Sequence, residues 1–559
     1  MDSLEMPHGA GGAAPAAGGA ARQPAPTDVP RPSPLDVPLR PPPDRPVEPA
    51  DRPAGSADLS WERQRFAELQ RGLGPLFARV FSDRLAEQTV VVVPSLSLAP
   101  EELAKLRGSP HYEERMLCLL MLLRLPRTHV VYVTSQPVAA TIVDYYLHLL
   151  PGVPVEHARR RLTLLSCHDG SPTPLTGKIL ARPRLVERIR AAVADPASAH
   201  VTCFNTTPLE RTLAVRLGLP LYGCDPALMH LGTKSGSRDT FRRAGVPMPP
   251  GVEHLRDAHD AALALAELRQ RDPGLRRAVV KLEEGFGGEG NAVFAFHGAP
   301  TTGLATWVRR ELPGRLRCEA PGERAERYLA RFAQTGGIVE AFVEGEAARS
   351  PSAQCRIDPL GGITVISTHD QVLGGPSGQI FLGCTFPAAA ESRPALHDGA
   401  LRVAHVLKQD GVLGRFGVDF VAVRRPGGWE HLAIEINLRK GGTTHPYLML
   451  QFLTGGAYDV DEGAHRTATG QPCCYFASDN LHGAAYAGHT PDDLIDIAVD
   501  NGLHFDAASQ QGVVFHLIGA LSEYGKLGAL CIGPTPERAR ELYDATVAVL
   551  DREVRRGGR

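Results

Sequence analysis

Lysine is scarce in this chain, cysteines never fall at metal or redox spacing, and neither a long apolar run nor a block of one charge occurs. Each absence excludes something. No stretch approaches the ~18 consecutive apolar residues of a membrane-spanning helix. The N-terminal MDSLEMPHGAGG lacks the apolar centre of a secretory leader, so a cytoplasmic protein without a membrane partner is expected. The ten cysteines form no C-x-x-C pair and no Cys/His cluster at zinc spacing. Adjacent Cys473 and Cys474 are badly placed to pair with each other, and a reducing compartment fits. The formal net charge of −2 without a basic stripe disfavours nucleic acid as a partner. Only seven of the 60 Lys+Arg residues are lysine: 105, 178, 234, 281, 408, 440 and 526. Where arginine is the default cation, a lysine beside glycine-rich sequence carries extra weight.

What is present suggests several domains. With 559 residues, 43% of them hydrophobic, the chain has room for roughly three or four units of about 150 residues. Residues 1–57 are Pro, Ala and Gly with few apolar side chains, and a disordered tail is expected. Within 58–222, TVVVVPSL, THVVYVTS, LTLLS and HVTCFNTT read as strands. HYEERMLCLLMLLRL (111–125), read as an amphipathic helix, ATIVDYYLHLL and PRLVERIRAAVA alternate with them, which implies a parallel, Rossmann-like α/β sheet. Residues 223–472 carry paired strands with Gly-rich turns, an α+β pattern. From 473 to 559 a small α/β domain follows, ending in the helix PERARELYDATVAVLDREV. No internal repeat is visible.

The strongest local signal is RFGVDFVAVRRPGGWEHLAIEINLR, two period-2 segments around a Pro-Gly-Gly turn. A turn centred near Gly427 places Asp419 directly opposite Glu435, with Asn437 on the same face. Phe420 then meets Ile434, and Val418 meets Ile436, on the apolar face. Like charges across a ladder are destabilising unless a hard dication lies between them, and magnesium suits carboxylate and amide oxygens. Two solvated acids on an exposed, slipped strand are the alternative. AVVKLEEGFGGEGNAVFAF (278–296) contains Gly285-x-Gly287-x-x-Gly290, with Gly288 inside it. A strand follows rather than a helix. The glycines therefore form a strand–loop–strand flap able to wrap phosphate oxygens, with Lys281 at its base, unless this is an ordinary glycine-rich hairpin. No HRD or DFG follows, which excludes a protein kinase. LGTKSGSRDTFRRAGVPMPP starts a helix near Thr233–Ser235 and ends it at Gly245, with Lys234 in the first turn. GGIVEAFVEGEAARS is an apolar strand carrying Glu340, Glu344 and Glu346, of the kind whose backbone binds a base.

Taken in order, Lys234, Lys281 with its glycine loop, Glu340/Glu346, Asp419 and Glu435-x-Asn437-x-Arg439 resemble the ATP-grasp superfamily over about 225–455. FNTTPLERTLAVRLGLPLYGCDP, THDQVLGGPSGQIFLGCTFPA and EINLRKGGTTHP are similar to the pheganomycin-type peptide ligases, which have a pre-ATP-grasp domain, an ATP-grasp core and a small C-terminal domain. That resemblance implies an ATP-dependent ligase joining a small-molecule acid to an amino-acid or peptide amine through an acyl phosphate, in specialised-metabolite assembly; a homodimer is compatible with it. Lys234 and Lys281 would meet the phosphates under the 285–290 loop. Glu340 and the backbone of 341–343, including Phe342 and Val343, would read adenine, and Glu346 or Glu344 the ribose. Asp419, Glu435 and Asn437 would hold Mg²⁺ or Mn²⁺, and Arg439 with Arg356 would face the transferred phosphoryl. His369, Gln371, Lys440, Gly441 and His445 would line the substrate pocket. A biotin-dependent carboxylase is a rival, yet no Met-Lys biotinyl acceptor is present. A nucleotide-binding scaffold is another, disfavoured because both lysines and both acids are retained.

Overall fold

The computed structural model describes residues 56–285, 290–320, 322–374, 378 and 380–557. The tail expected over 1–57 lies almost wholly outside them, as do Gly287 and Gly288 and the side chain of Glu346. Two helices, Ser56–Gln70 and Leu73–Ser82, precede the first strand, and Glu62 ties the first of them to Arg211 and Thr212.

The strands β1 Gln88–Val93, β2 Thr128–Thr134, β3 Leu162–Ser166 and β4 Ala199–Cys203 form a parallel sheet in the order β3-β2-β1-β4, as the alternation of strands and helices implied. Successive side chains enter different cores: Val90, Val92, Val130 and Tyr132 on one face, Val91, Val93, Val131 and Val133 on the other. The segment expected to be an amphipathic helix departs from that reading. Ser109–Arg124 winds in 3₁₀ turns and is buried throughout 113–123, charged residues included. It is covered by β2 and the helix Thr444–Thr454, and it shares its core with the C-terminal segment. Its polar groups bond inside rather than to solvent; Glu113, for example, accepts from both the N–H and the hydroxyl of Ser135.

A second, antiparallel sheet holds β5 Gly251–Leu255, β6 Arg277–Leu282, β7 Asn291–Ala295, β8 Arg317–Cys318 and β9 Gly337–Ala341 in the order β5-β9-β6-β7-β8. β6 and β7 are the two strands expected to flank the glycine flap. The third sheet has eleven strands: β10 Glu346–Arg349, β11 Pro351–Ile357, β12 Ile363–Gly374, β13 Ile380–Phe386, β14 Gly414–Arg425, β15 Gly428–Asn437, β16 Ala457–Asp459, β17 Ala464–Arg466, β18 Pro472–His482, β19 Gly512–His516 and β20 Lys526–Gly533. β18 pairs with both β13 and β20, so the C-terminal strands continue the sheet of the preceding region.

The β14–β15 hairpin sets the site. Its turn is Pro426–Gly427, and a regular ladder runs from Arg425–Gly428 to Phe420–Ala433. A bulge at Ile434 then shifts the register by one, so that Asp419 faces Glu435 and Val418 faces Ile436. Those two pairs match the expectation; the expected Phe420–Ile434 pair is replaced by Phe420–Ala433. The two-residue turn starts the ladder half a step away from one centred on Gly427, and the bulge absorbs the difference.

The helix Lys234–Ala244 begins where its caps predict. Thr233 accepts from the Gly236 N–H, Glu283 accepts from the Ser235 N–H, and Gly245 ends the helix at φ 63°. Its first turn packs so closely on the preceding segment that a Cβ at Gly236 would run into the His230 carbonyl oxygen. Gly236→Ala should therefore cost about 1–3 kcal/mol of stability. Gly427→Ala, at a turn where nothing lies within 4 Å, should be near neutral. Urea denaturation midpoints of the two variants check this; equal midpoints would mean that the first turn yields without cost.

Candidate active site

A cleft of about 1100 Å³ collects residues from the second and third sheets, among them Lys281, Glu340, Asp419, Glu435 and Asp479, and from segments beside the first, among them Arg115 and Phe204. Its central wall is the β14–β15 hairpin. Asp419 Oδ1 accepts from Gln371 Nε2 at 3.0 Å and Oδ2 from Asn437 Nδ2 at 2.9 Å, while Lys234 donates to Glu435 Oε2. Arg439 Nη1 donates to Asn437 Oδ1 at 2.6 Å. Burial and the facing Glu435 push the Asp419 carboxyl well above the usual range. Burial pulls Glu435 the same way, but Lys234, with Arg439 and Lys281 farther off, holds it below the usual value. One acid is thus kept ionised by a lysine and the other is left short of positive charge, an arrangement that a cation between them would relieve.

The second sheet contributes a buried ion cluster. Lys281 Nζ lies 2.6 Å from Glu340 Oε2, and Arg238 Nη1 donates to Glu340 Oε1 at 2.7 Å. Arg238 Nε also reaches Glu253 Oε2 at 3.0 Å. With 2% exposure and both oxygens on cations, Glu340 positions Lys281 and does not offer its carboxylate to a base. The expected backbone edge narrows as well. Ala341 N–H donates to Pro250 O and Phe342 N–H to Arg277 O, so these two backbone donors are already engaged. Phe342 lies under the Arg277 guanidinium at 3.9 Å, and Glu344 pairs with Arg276 and Arg277.

Of the expected substrate residues, Gln371 and Gly441 line the cleft and three others do not. His369 is fully buried, 2.7 Å from Tyr475 Oη, and burial pulls its pKa down to about 3. Lys440 turns away to Thr202 Oγ1 at 3.0 Å and Cys203 O at 2.5 Å, and burial draws its pKa down to about 8. His445 sits behind the wall against the His516 ring. Arg356 also lies off the cleft, beside Thr364 and 5.9 Å from the Phe81 ring. The reason is common to the strand residues: alternation assigns a face, but β11 and β12 leave the cleft part-way along and their remaining residues enter the core.

Several residues in or beside the site gave no clear signal in the sequence. Arg238 is one of three arginines in a short helix, and Glu283 looked like part of the loop. Arg115 and Asp479 meet at 3.2 Å across 364 residues, with His516 Nε2 2.6 Å from the same carboxylate. The one available hint was the run Glu113-Glu114-Arg115 inside an otherwise apolar segment. Among the described residues, His445, Asp479 and His516 are close enough together to share a metal ion. Asp479 is already engaged by Arg115 and His516, and burial keeps His445 neutral.

A model of the IQCH-like ATP-grasp family matches residues 226–312 and 323–461, and one of the PGM1 C-terminal domain matches 493–546. The L-propargylglycine–L-glutamate ligase of Streptantibioticus cattleyicolor is 32% identical over 473 residues, covering 83% of this chain and 94% of that protein. The chain belongs to the pheganomycin-type peptide ligases of the ATP-grasp superfamily. It is an ATP-dependent ligase that joins a carboxylate to an amine. IQ motif-containing protein H of Danio rerio is 24% identical over 525 residues; the match covers 84% of this chain but 49% of that protein, about half its length. N5-carboxyaminoimidazole ribonucleotide synthetase, in its ADP complex, superposes with a TM-score of 0.48 at 12% identity, covering 84% of this chain and 98% of the other. The ATP-grasp match takes in the flap, the Glu340 strand and the Asp419/Glu435 hairpin.

The buried Glu340 cluster in this ligase yields a direct test. Glu340→Gln leaves Lys281 and Arg238 without their shared anion and should cost about 3–5 kcal/mol. Glu344→Gln, whose partner Arg276 is 78% exposed, should cost less than about 1 kcal/mol. Denaturant titration of both variants gives the comparison; similar losses would show that Glu340 is not the buried hub.

Proposed function

We propose that this cleft activates the carboxylate of a small acid with ATP and passes the acyl group to an amino-acid or peptide amine, in assembly of a peptide-type specialised metabolite. The observation that carries the reading is the facing pair Asp419–Glu435, which shares the cleft with Lys281 and Arg439 and has Lys234 bound to Glu435. We further propose domain limits of 58–222, 223–472 and 473–559, a cytoplasmic setting and, for the active form, a homodimer.

The donor set fits a hard dication. Asp419 and Glu435 supply facing carboxylates, and Asn437 supplies an amide oxygen once its side chain turns Oδ1 from Arg439 towards Asp419. These residues would hold Mg²⁺, or Mn²⁺, which when bound screens the transferred phosphoryl. Lys234 enters from the first turn of its helix and Lys281 from the base of the flap. Each is held in the wall by a carboxylate, so its ammonium is in place before the anionic nucleotide arrives. On the family pattern the 285–290 loop would cover the triphosphate, Val343 with Phe342 would receive the adenine, and Glu346 the ribose. Arg439 faces the acyl phosphate and the tetrahedral intermediate formed when the amine attacks. Gln371 fixes Asp419 from β12, reaching across β11. Bringing two anions together is the main barrier, and placed cations lower it without a covalent enzyme intermediate.

ADP release, screened over acids and amines offered singly and in pairs, should appear when both are supplied. Release that depends on bicarbonate would point to carboxylation instead. Lys281→Arg should restore little of the activity lost in Lys281→Ala, since a planar guanidinium does not fit where a compact ammonium meets Glu340.

The hairpin gives a sharper test. Asp419→Asn and Glu435→Gln should abolish turnover in millimolar magnesium and shrink the gain in Tm on adding Mg·ATP. Without nucleotide the two should diverge. Asp419→Asn removes a like-charge contact and should hold or raise stability by about 0.2–1 kcal/mol. Glu435→Gln strips Lys234 of its partner and should lower it. Glu430→Gln, at an exposed pair with Arg425 near the turn, should change neither property. Wild-type activity and an undiminished Mg·ATP shift in both hairpin variants would move the metal site elsewhere.

A further inference from the structure

We infer that Arg115 binds the unactivated carboxylate of the amine substrate, which makes that substrate an α-amino acid or a peptide read at its C-terminal end. The inference rests on the ligase reading above and adds the chemistry of the second substrate.

Arg115 is 5% exposed yet lines the cleft. Its guanidinium is flanked by the Tyr112 ring at 4.7 Å and the Phe204 ring at 4.8 Å, and Nη1 is held on Asp479 Oδ2. Nε and Nη2 are buried and find no acceptor among the described residues. These two atoms form the fork that takes a carboxylate bidentately. A buried guanidinium with three of its five N–H donors unpaired is costly, and among the described residues Asp479 is the one carboxylate paired with it. The adjoining recess, about 10 Å³ beside Phe204 and Lys440, has room for one water at most; a water supplies no negative charge.

The surroundings also call for an anion. Arg439 lines the same cleft as Arg115. Lys526 lines the same end of the cleft and donates to Tyr112 Oη at 2.7 Å. The carboxylate on Arg115 is not the one activated, because Arg115 is held on Asp479 and not on the hairpin that carries the proposed metal ligands. Activation belongs beside Arg439 and the Asp419–Glu435 pair. The carboxylate at Arg115 therefore enters with the amine, whose nitrogen reaches back towards Arg439. Asp479 acts as a positioning residue: it fixes Nη1 and is itself held by His516.

The test is calorimetric binding of the proteinogenic L-amino acids and their C-terminal carboxamides to the full chain loaded with Mg·ADP. At least one acid should bind the wild type, and its carboxamide should bind about 100-fold or more weakly, because the amide leaves the fork unneutralised. Arg115→Lys keeps the charge and removes the fork. It should weaken the acid at least about 30-fold and reduce the acid-over-amide preference to within about threefold, with Mg·ADP affinity unchanged. The inference is overturned if the wild type binds acids and carboxamides alike, binds no amino acid, or if Arg115→Lys keeps the preference. A wild type that fails to bind Mg·ADP at all would count against the ligase site itself. The two failures are thus read separately.

Discussion

Two carboxylates facing each other across the β14–β15 ladder are the constraint around which the cleft is built. Unscreened, Asp419 and Glu435 would loosen the hairpin that carries them. The protein answers with Lys234 on Glu435 and the amides of Gln371 and Asn437 on Asp419. Lys234 can serve there because its helix starts against the hairpin, and that start is capped by Glu283 at the base of the flap. The flap strand in turn places Lys281 on Glu340, which Arg238 of the same helix also grips. A continuous set of paired charges thus joins the second and third sheets, and each lysine is aimed by a carboxylate from a different element.

Such pairs are better at fixing geometry than at adding stability. A buried ion pair repays little more than the desolvation of its members, whereas removing one member leaves a charge stranded. Misplacing the helix, the flap or the hairpin would strand Lys234, Lys281 or Glu435 in the same way. The arrangement therefore selects one relative placement of the three elements. Arg439, reaching Asn437 from just beyond the end of β15, adds a further cation to the same wall.

How much of this was legible in the sequence follows from which rules are local. Pro426-Gly427-Gly428 between period-2 segments announced the hairpin, and the Asp419–Glu435 pairing came with it. The bulge at Ile434 did not, because nothing in Ala433-Ile434-Glu435 marks a bulge. Thr233 and Gly245 delimited the Lys234 helix by capping chemistry alone, and the failure of a helix to follow Gly290 exposed the flap. Periodicity told which face His369 and Arg356 share with their strand neighbours, but where the cleft ends along a strand is decided by what packs over it. Glu340 looked like a ligand residue because its buried partner Arg238 sits a hundred residues away in a helix with three arginines. Arg115 was hidden by the same limit: a charged residue on a helical segment implies water only if one side of the segment is open, and none is.

The two ends of the cleft also differ in origin. Lys234, Lys281, Glu340, Asp419 and Glu435 all fall inside the matched ATP-grasp region, 226–312 and 323–461. Arg115, Asp479 and Lys526 all fall outside it, on the segment beside the parallel sheet and on β18 and β20. The nucleotide end is built from adjacent elements of one sheet pair and is held by short-range ion pairs. The opposite end forms only because β18 continues the large sheet and brings Asp479 against a helical segment 364 residues earlier. Changes in the flanking segments can therefore alter what the amine must look like without disturbing the hairpin, the flap or the lysines. With the roles proposed above, that division puts phosphoryl chemistry in the ATP-grasp core and substrate choice in the parts that clasp it.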